Sequence, residues 1–80
     1  MMAAENTHSL TDLEIGIDAR VVSVNGEGAV TRRLLEMGVI PGVTVSIVKK
    51  APFGDPIEVR VRGYSLAMRR KEADAIEVAA

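Results

Sequence analysis

The most regular feature of the chain is an alternation of apolar and polar positions. Ile57, Val59 and Val61 alternate with Glu58, Arg60 and Arg62. A period of two places one set on each face of a strand. The same pattern runs through Val43, Val45 and Ile47 against Thr44 and Ser46. It returns in Tyr64, Leu66 and Met68 against Ser65, Ala67 and Arg69. Ala19 to Val24 and Ile76 to Val78 are shorter stretches of the same kind. Residues suited to tight turns separate them: Pro41-Gly42, the run Ala51-Pro52-Phe53-Gly54-Asp55-Pro56, and Gly63. Lys71 to Ala75 is expected to be a short polar turn before the closing strand.

One stretch has a different period. Val30, Leu34 and Met37 are spaced i, i+4, i+7, which is one stripe of a helix. Arg32, Arg33 and Glu36 take other positions. Gly38 stands where a helix stops in the left-handed conformation, and Pro41-Gly42 fits a type II turn into the next strand. A helix is predicted over 29–37, packed on the sheet through the Val30, Leu34, Met37 stripe. Upstream, Ser9 and Asp12 have the spacing of a capped turn, with Leu10 and Leu13 as core plugs. Residues 1–8 are polar and unpatterned. The expected organisation is a flexible tail over 1–8 and one domain over 9–80. The fold class is mainly β: a small SH3-like barrel of about five strands, with one short helix inserted after the first strand.

Composition narrows the picture. Apolar residues are 48% of the 80, enough for a globular core, but only Phe53 and Tyr64 are aromatic. The core must therefore be aliphatic. There is no cysteine, which excludes disulfides, thiolate metal sites and cysteine nucleophiles. No apolar run approaches the ~18 residues that span a bilayer. Met1 to Leu10 lacks the basic and apolar regions of a signal peptide. A cytoplasmic protein is expected, with no direct membrane insertion and any link to a membrane running through a protein partner.

The formal net charge of −1 hides a segregation. Four acids and no Lys or Arg fall within residues 1–18, and all ten basic residues fall within 19–71 against four acids. Such a middle suits either an anionic partner or ordinary solvated strand faces. Nucleic-acid binding by a small barrel also calls for aromatic stacking platforms. Phe53 and Tyr64 stand far apart in sequence, so that partner is not expected.

Catalytic chemistry finds no support. The single histidine, His8, sits in the tail without a second histidine or a cysteine to complete a metal site. Gly26-Glu27-Gly28 precedes the helix but lacks the remainder of a dinucleotide or P-loop motif. No catalytic residue, cofactor or metal ligand is assigned, and a non-enzyme is expected. Phe53, between two prolines at a hairpin tip, either folds back on the barrel or projects as a partner anchor; the folded-back arrangement is expected. Met37 and Ile40 fit the core or the wall of a groove. Arg33 fits a structural role, its stem over apolar surface and its head on a carboxylate.

One ordered set of segments stands out: Arg32-Arg33-Leu34-Leu35-Glu36-Met37-Gly38-Val39-Ile40-Pro41-Gly42, then Ala51-Pro52-Phe53-Gly54-Asp55-Pro56, then Ile57 to Tyr64. Leu66 to Arg70 and Ile76-Glu77-Val78 follow, with Leu10, Leu13 and Gly16 at the front. This set resembles the FeoA family of small proteins of bacterial ferrous iron transport. The likeness covers roughly Ser9 to Val78. It implies an SH3-like barrel with an inserted helix and a binding role in iron homeostasis. It further implies a partner, the membrane transporter FeoB, engaged through its cytosolic GTP-binding portion. The expected contact residues are Arg33, Met37, Ile40, Phe53, Tyr64 and Arg69, on a monomer or weak homo-oligomer. The alternative is a regulatory or nucleic-acid-binding barrel related to the SH3-like domain of metal-dependent repressors.

Overall fold

In a computed structural model of the protein, residues 7–26 and 28–79 are described. They form β1 (Thr7–Ser9), a 3-10 turn (Leu10–Asp12), β2 (Ala19–Val24), α1 (Gly28–Glu36), β3 (Thr44–Lys50), β4 (Ile57–Val61), β5 (Tyr64–Met68), α2 (Arg70–Asp74) and β6 (Ile76–Ala79). The strands make one antiparallel sheet in the order β1-β6-β2-β3-β4-β5.

In β3, β4 and β6 the alternation read from the sequence is the alternation of burial, whereas in β5 Tyr64 is exposed and only Met68 is fully inside. Ile57, Val59 and Val61 of β4 are buried, as are Val45 and Ile47 of β3 and Ile76 and Val78 of β6. Ala19 and Val21 bring β2 into the same cluster. Neither aromatic joins it: Phe53 is 95% exposed and Tyr64 45%. The core is aliphatic, as the composition requires. Register shifts interrupt β2 between Val21 and Ser23, and β3 between Ile47 and Lys49. An irregularity of this kind bends a strand and increases its twist, which wraps the sheet around a core of small width.

The two edge strands, β1 and β5, do not pair with each other. Other elements bridge the gap. Asp74, at the end of α2, accepts hydrogen bonds from the Ser9 and Thr11 hydroxyls at 2.9 and 3.2 Å. Arg33 of α1 pairs with Glu72 of α2 at 2.9 Å. Tyr64, opening β5, donates its hydroxyl to the Met37 carbonyl. The sheet stays open between β1 and β5, and these contacts run across the gap from β1 through α2 and α1 to β5.

Four expectations change. The strands number six among the described residues, because Thr7–Ser9 pairs with β6 through Thr7↔Ala79, His8↔Val78 and Ser9↔Glu77. Thr7 and His8 therefore belong to the sheet and not to a tail, while residues 1–6 lie outside the described residues. The inserted helix accordingly follows the second strand. Lys71 to Ala75 is not a simple turn: Arg70–Asp74 is a second helix, with Glu72 and Ala73 buried.

Candidate partner-binding surface

Five of the six expected contact residues fall at two ends of the β4–β5 hairpin, and Arg33 lies between them on α1. Val61 pairs with Tyr64 at one end and Ile57 with Met68 at the other. Four residue steps separate them, about 13 Å at ~3.3 Å per residue.

The first end is built on the close of α1. The Gly38 N–H donates to the Leu35 carbonyl and the Val39 N–H to the Leu34 carbonyl, both at 3.0 Å. This pairing is the Schellman stop, and its apolar contact is supplied by Leu34 and Val39, both fully buried. Gly38 has φ of 93°, a conformation that glycine adopts without strain. A side chain there would also meet Tyr64: an added Cβ would lie 3.1 Å from its hydroxyl oxygen. The Val43 N–H then bonds the Ile40 carbonyl across Pro41-Gly42. The outcome brings Met37, half-buried, beside Tyr64, with Ile40 exposed two residues past the glycine. Tyr64 reaches this place because Arg62 and Gly63 both have positive φ, 53° and 93°. That is the sign pattern of a two-residue type I′ hairpin turn.

The second end carries Phe53 and Arg69. The loop between β3 and β4 is braced by Gly54 N–H to Ala51 carbonyl at 2.7 Å and Ala51 N–H to Pro56 carbonyl at 3.0 Å. The Asp55 carboxylate accepts the Arg70 backbone N–H at 3.0 Å, tying the loop to the start of α2. Phe53 does not fold back. At 95% exposure it is the most exposed of the large apolar side chains described. The bracing bonds hold the backbone of the tip, and the ring stands clear of the core. Lys49, Lys50, Arg69, Arg70 and Lys71 are exposed at this end. Beside the loop lies a depression of about 390 Å³ bordered by Lys49, Pro52, Pro56, Glu58 and Ala67 among others.

Glu72 joins the two ends. One carboxylate oxygen accepts from Arg33 at 2.9 Å and the other accepts the Arg69 backbone N–H at 2.9 Å. Its side chain is 8% exposed, whereas that of Arg33 is 58% exposed. Buried carboxylates need such partners. Arg33 therefore takes the carboxylate-pairing role that its sequence allowed. Sequence reasoning missed Glu72; its signal was the three-residue spacing from Arg69, which is that of a capping box.

A second hollow, a cleft of about 550 Å³, lies against the exposed side of α1 between Gly26, Gly28, Thr31, Arg32, Leu35 and Glu36. The Thr31 hydroxyl oxygen is buried there without a hydrogen-bond partner among the described residues. No group of three or more His, Asp or Glu side chains gathers to hold a metal among the described residues. No described helix is long and apolar enough to cross a membrane.

This arrangement has known counterparts. The family model described as the FeoA domain matches residues 8–80. The chain belongs to the FeoA domain family. A curated Porphyromonas gingivalis relative, an Fe(2+) transport protein A/Fe(2+) transporter FeoB fusion protein, is 41% identical over 69 residues. The match covers 86% of this chain and 8% of that protein, so the FeoA-like segment is a small part of the relative. The solution structure of the Chlorobium tepidum FeoA protein is 44% identical with a TM-score of 0.84, covering 90% of this chain and 69% of that one. Stenotrophomonas maltophilia FeoA, solved in complex with zinc and described as a procaryotic SH3 domain protein, is 35% identical with a TM-score of 0.79. That match covers 89% of this chain and 88% of that one. The fold is mainly β and SH3-like, as expected from the sequence.

Proposed function

We propose that this FeoA domain protein is a cytoplasmic accessory of ferrous iron uptake. In this reading it binds the soluble GTP-binding portion of a FeoB-type transporter and modulates its activity. The observation that carries the proposal is the fusion in Porphyromonas gingivalis, where an FeoA-like segment and a transporter share one polypeptide. Joining two modules in one chain raises their effective concentration and favours contacts that separate chains must make by diffusion. The described surface supports a binding role, since it offers exposed apolar side chains at both ends of a rigid hairpin. The contact surface is proposed to draw on Met37, Ile40 and Tyr64 at one end and on Phe53 and Arg69 at the other. Arg33 orients α1 between them through Glu72.

The test is binding of the purified protein to the immobilised soluble portion of the transporter, with GDP, with a GTP analogue and without nucleotide. Saturable binding in at least one state is expected, with altered GTP turnover or iron uptake when the protein is supplied. Absence of binding in all three states would contradict the proposal. Nucleic-acid binding gains nothing from the fold: the two aromatics stand at opposite ends of the β4–β5 hairpin and form no common stacking platform.

A further inference from the structure

We infer that Phe53 is a preformed plug that enters an apolar socket with a carboxylate rim on a protein partner. The inference rests on the proposed function for the identity of that partner, the soluble portion of the transporter, and adds the mode of contact.

Four observations carry it. First, the ring is 95% exposed, against 38–56% for the other exposed large apolar residues. Aromatic side chains, Phe among them, are enriched at the buried cores of protein interfaces. Second, the tip is held in place. Two backbone hydrogen bonds close the loop at 2.7 and 3.0 Å, Pro52 restricts its own φ, and Asp55 fastens the loop to the Arg70 N–H. A side chain presented on a rigid tip loses little conformational freedom on binding. Third, the fold does not use the ring, which is absent from the core cluster. Fourth, cations border the tip: Lys49 and Lys50 at the end of β3, and Arg69, Arg70 and Lys71 at the start of α2, all exposed. The Arg70 guanidinium lies 3.9 Å from where a Cβ on Gly54 would stand, next to the plug itself. A socket with acidic groups on its rim complements this border.

The charges also choose among occupants. Asp55, Glu58 and Asp74 are interleaved with the cations: Glu58 faces Lys49 at 3.8 Å, and Asp74 accepts the Ser9 and Thr11 hydroxyls. An anionic bilayer rewards a uniformly basic surface with several inserting side chains. A predominantly cationic border with acids at fixed points among the cations suits a partner whose own charges stand at fixed points, as those of a protein do.

The test is calorimetric titration of the transporter's soluble portion with wild type, Phe53→Ser and Arg69→Glu. Because Phe53 makes no core contact, Phe53→Ser is expected to keep the wild-type melting temperature. Its Kd is expected to rise at least tenfold. Arg69→Glu is expected to weaken binding and flatten its salt dependence. Wild-type binding with Phe53→Ser within twofold would overturn the plug while leaving the proposed function intact. No wild-type binding would remove both. Sedimentation of the protein with phosphatidylglycerol vesicles, lost in Phe53→Ser, would assign the ring to a lipid surface and overturn the inference. Light scattering that shows self-association, abolished by the same substitution, would place the ring in a second copy and would overturn it too.

Discussion

Tyr64, Gly38 and Glu72 show how single residues decide the geometry of a domain this small. The Tyr64 hydroxyl supplies a donor to the Met37 carbonyl at the end of α1, where helix carbonyls have no partner within the helix. Tyr64→Phe removes that bond and keeps the ring. It is expected to cost about 1 kcal/mol in chemical denaturation. Gly38→Ala combines a positive φ with a contact of 3.1 Å to the same hydroxyl oxygen, and its expected cost is about 1–3 kcal/mol. The two substitutions should be coupled. In the Tyr64→Phe background the oxygen is gone, so Gly38→Ala should cost less there than in wild type; equal costs would show that backbone conformation alone decides it. At Glu72, Gln retains an acceptor for the Arg69 N–H but loses the charge that faces Arg33, and Ala loses both. Glu72→Ala should therefore destabilise by more than Glu72→Gln, by about 2 kcal/mol against wild type, since hydrogen bonds to charged groups are the stronger kind.

At the scale of elements, α1 depends on one side chain. Leu34 is its only buried residue, with Val30 and Met37 partly buried beside the core. Leu34→Ala is expected to cost about 2–5 kcal/mol, a large share of the roughly 4–12 kcal/mol that about 0.05–0.15 kcal/mol per residue gives for a chain of this length. A lowered melting midpoint with loss of helical circular dichroism is the expected result. The strands and α1 were legible in the sequence because burial imposes a period on them: Ile57, Val59 and Val61 cannot all face the core unless the residues between them face away. The elements that escaped have no period to show. Thr7–Ser9 has no buried residue and becomes a strand only through pairing with β6. Arg70–Asp74 is five residues long, and its first turn is fastened by Asp55, fifteen residues earlier in the chain. Such helices are fixed by tertiary contacts and not by local propensity.

Across the whole molecule, the sheet leaves a gap between β1 and β5 that the two helices bridge through Arg33–Glu72, Asp74 and Tyr64. Family and fold were legible in the ordered set of segments. The presentation of Phe53 was not, because Pro52 and Gly54 set the course of the backbone without determining whether a ring between them turns inward. The division of the expected contact residues, Met37, Ile40 and Tyr64 at one end and Phe53 and Arg69 at the other, was likewise hidden, since it follows from the β4–β5 register. Amide hydrogen exchange of the protein with and without the soluble GTP-binding portion of the transporter tests the central claim most directly. The expected result is slowed exchange over residues 51–55 and 69–71, at the Phe53 end. Unchanged exchange at that end under saturating partner, or slowing confined to β1 and β6, would contradict it.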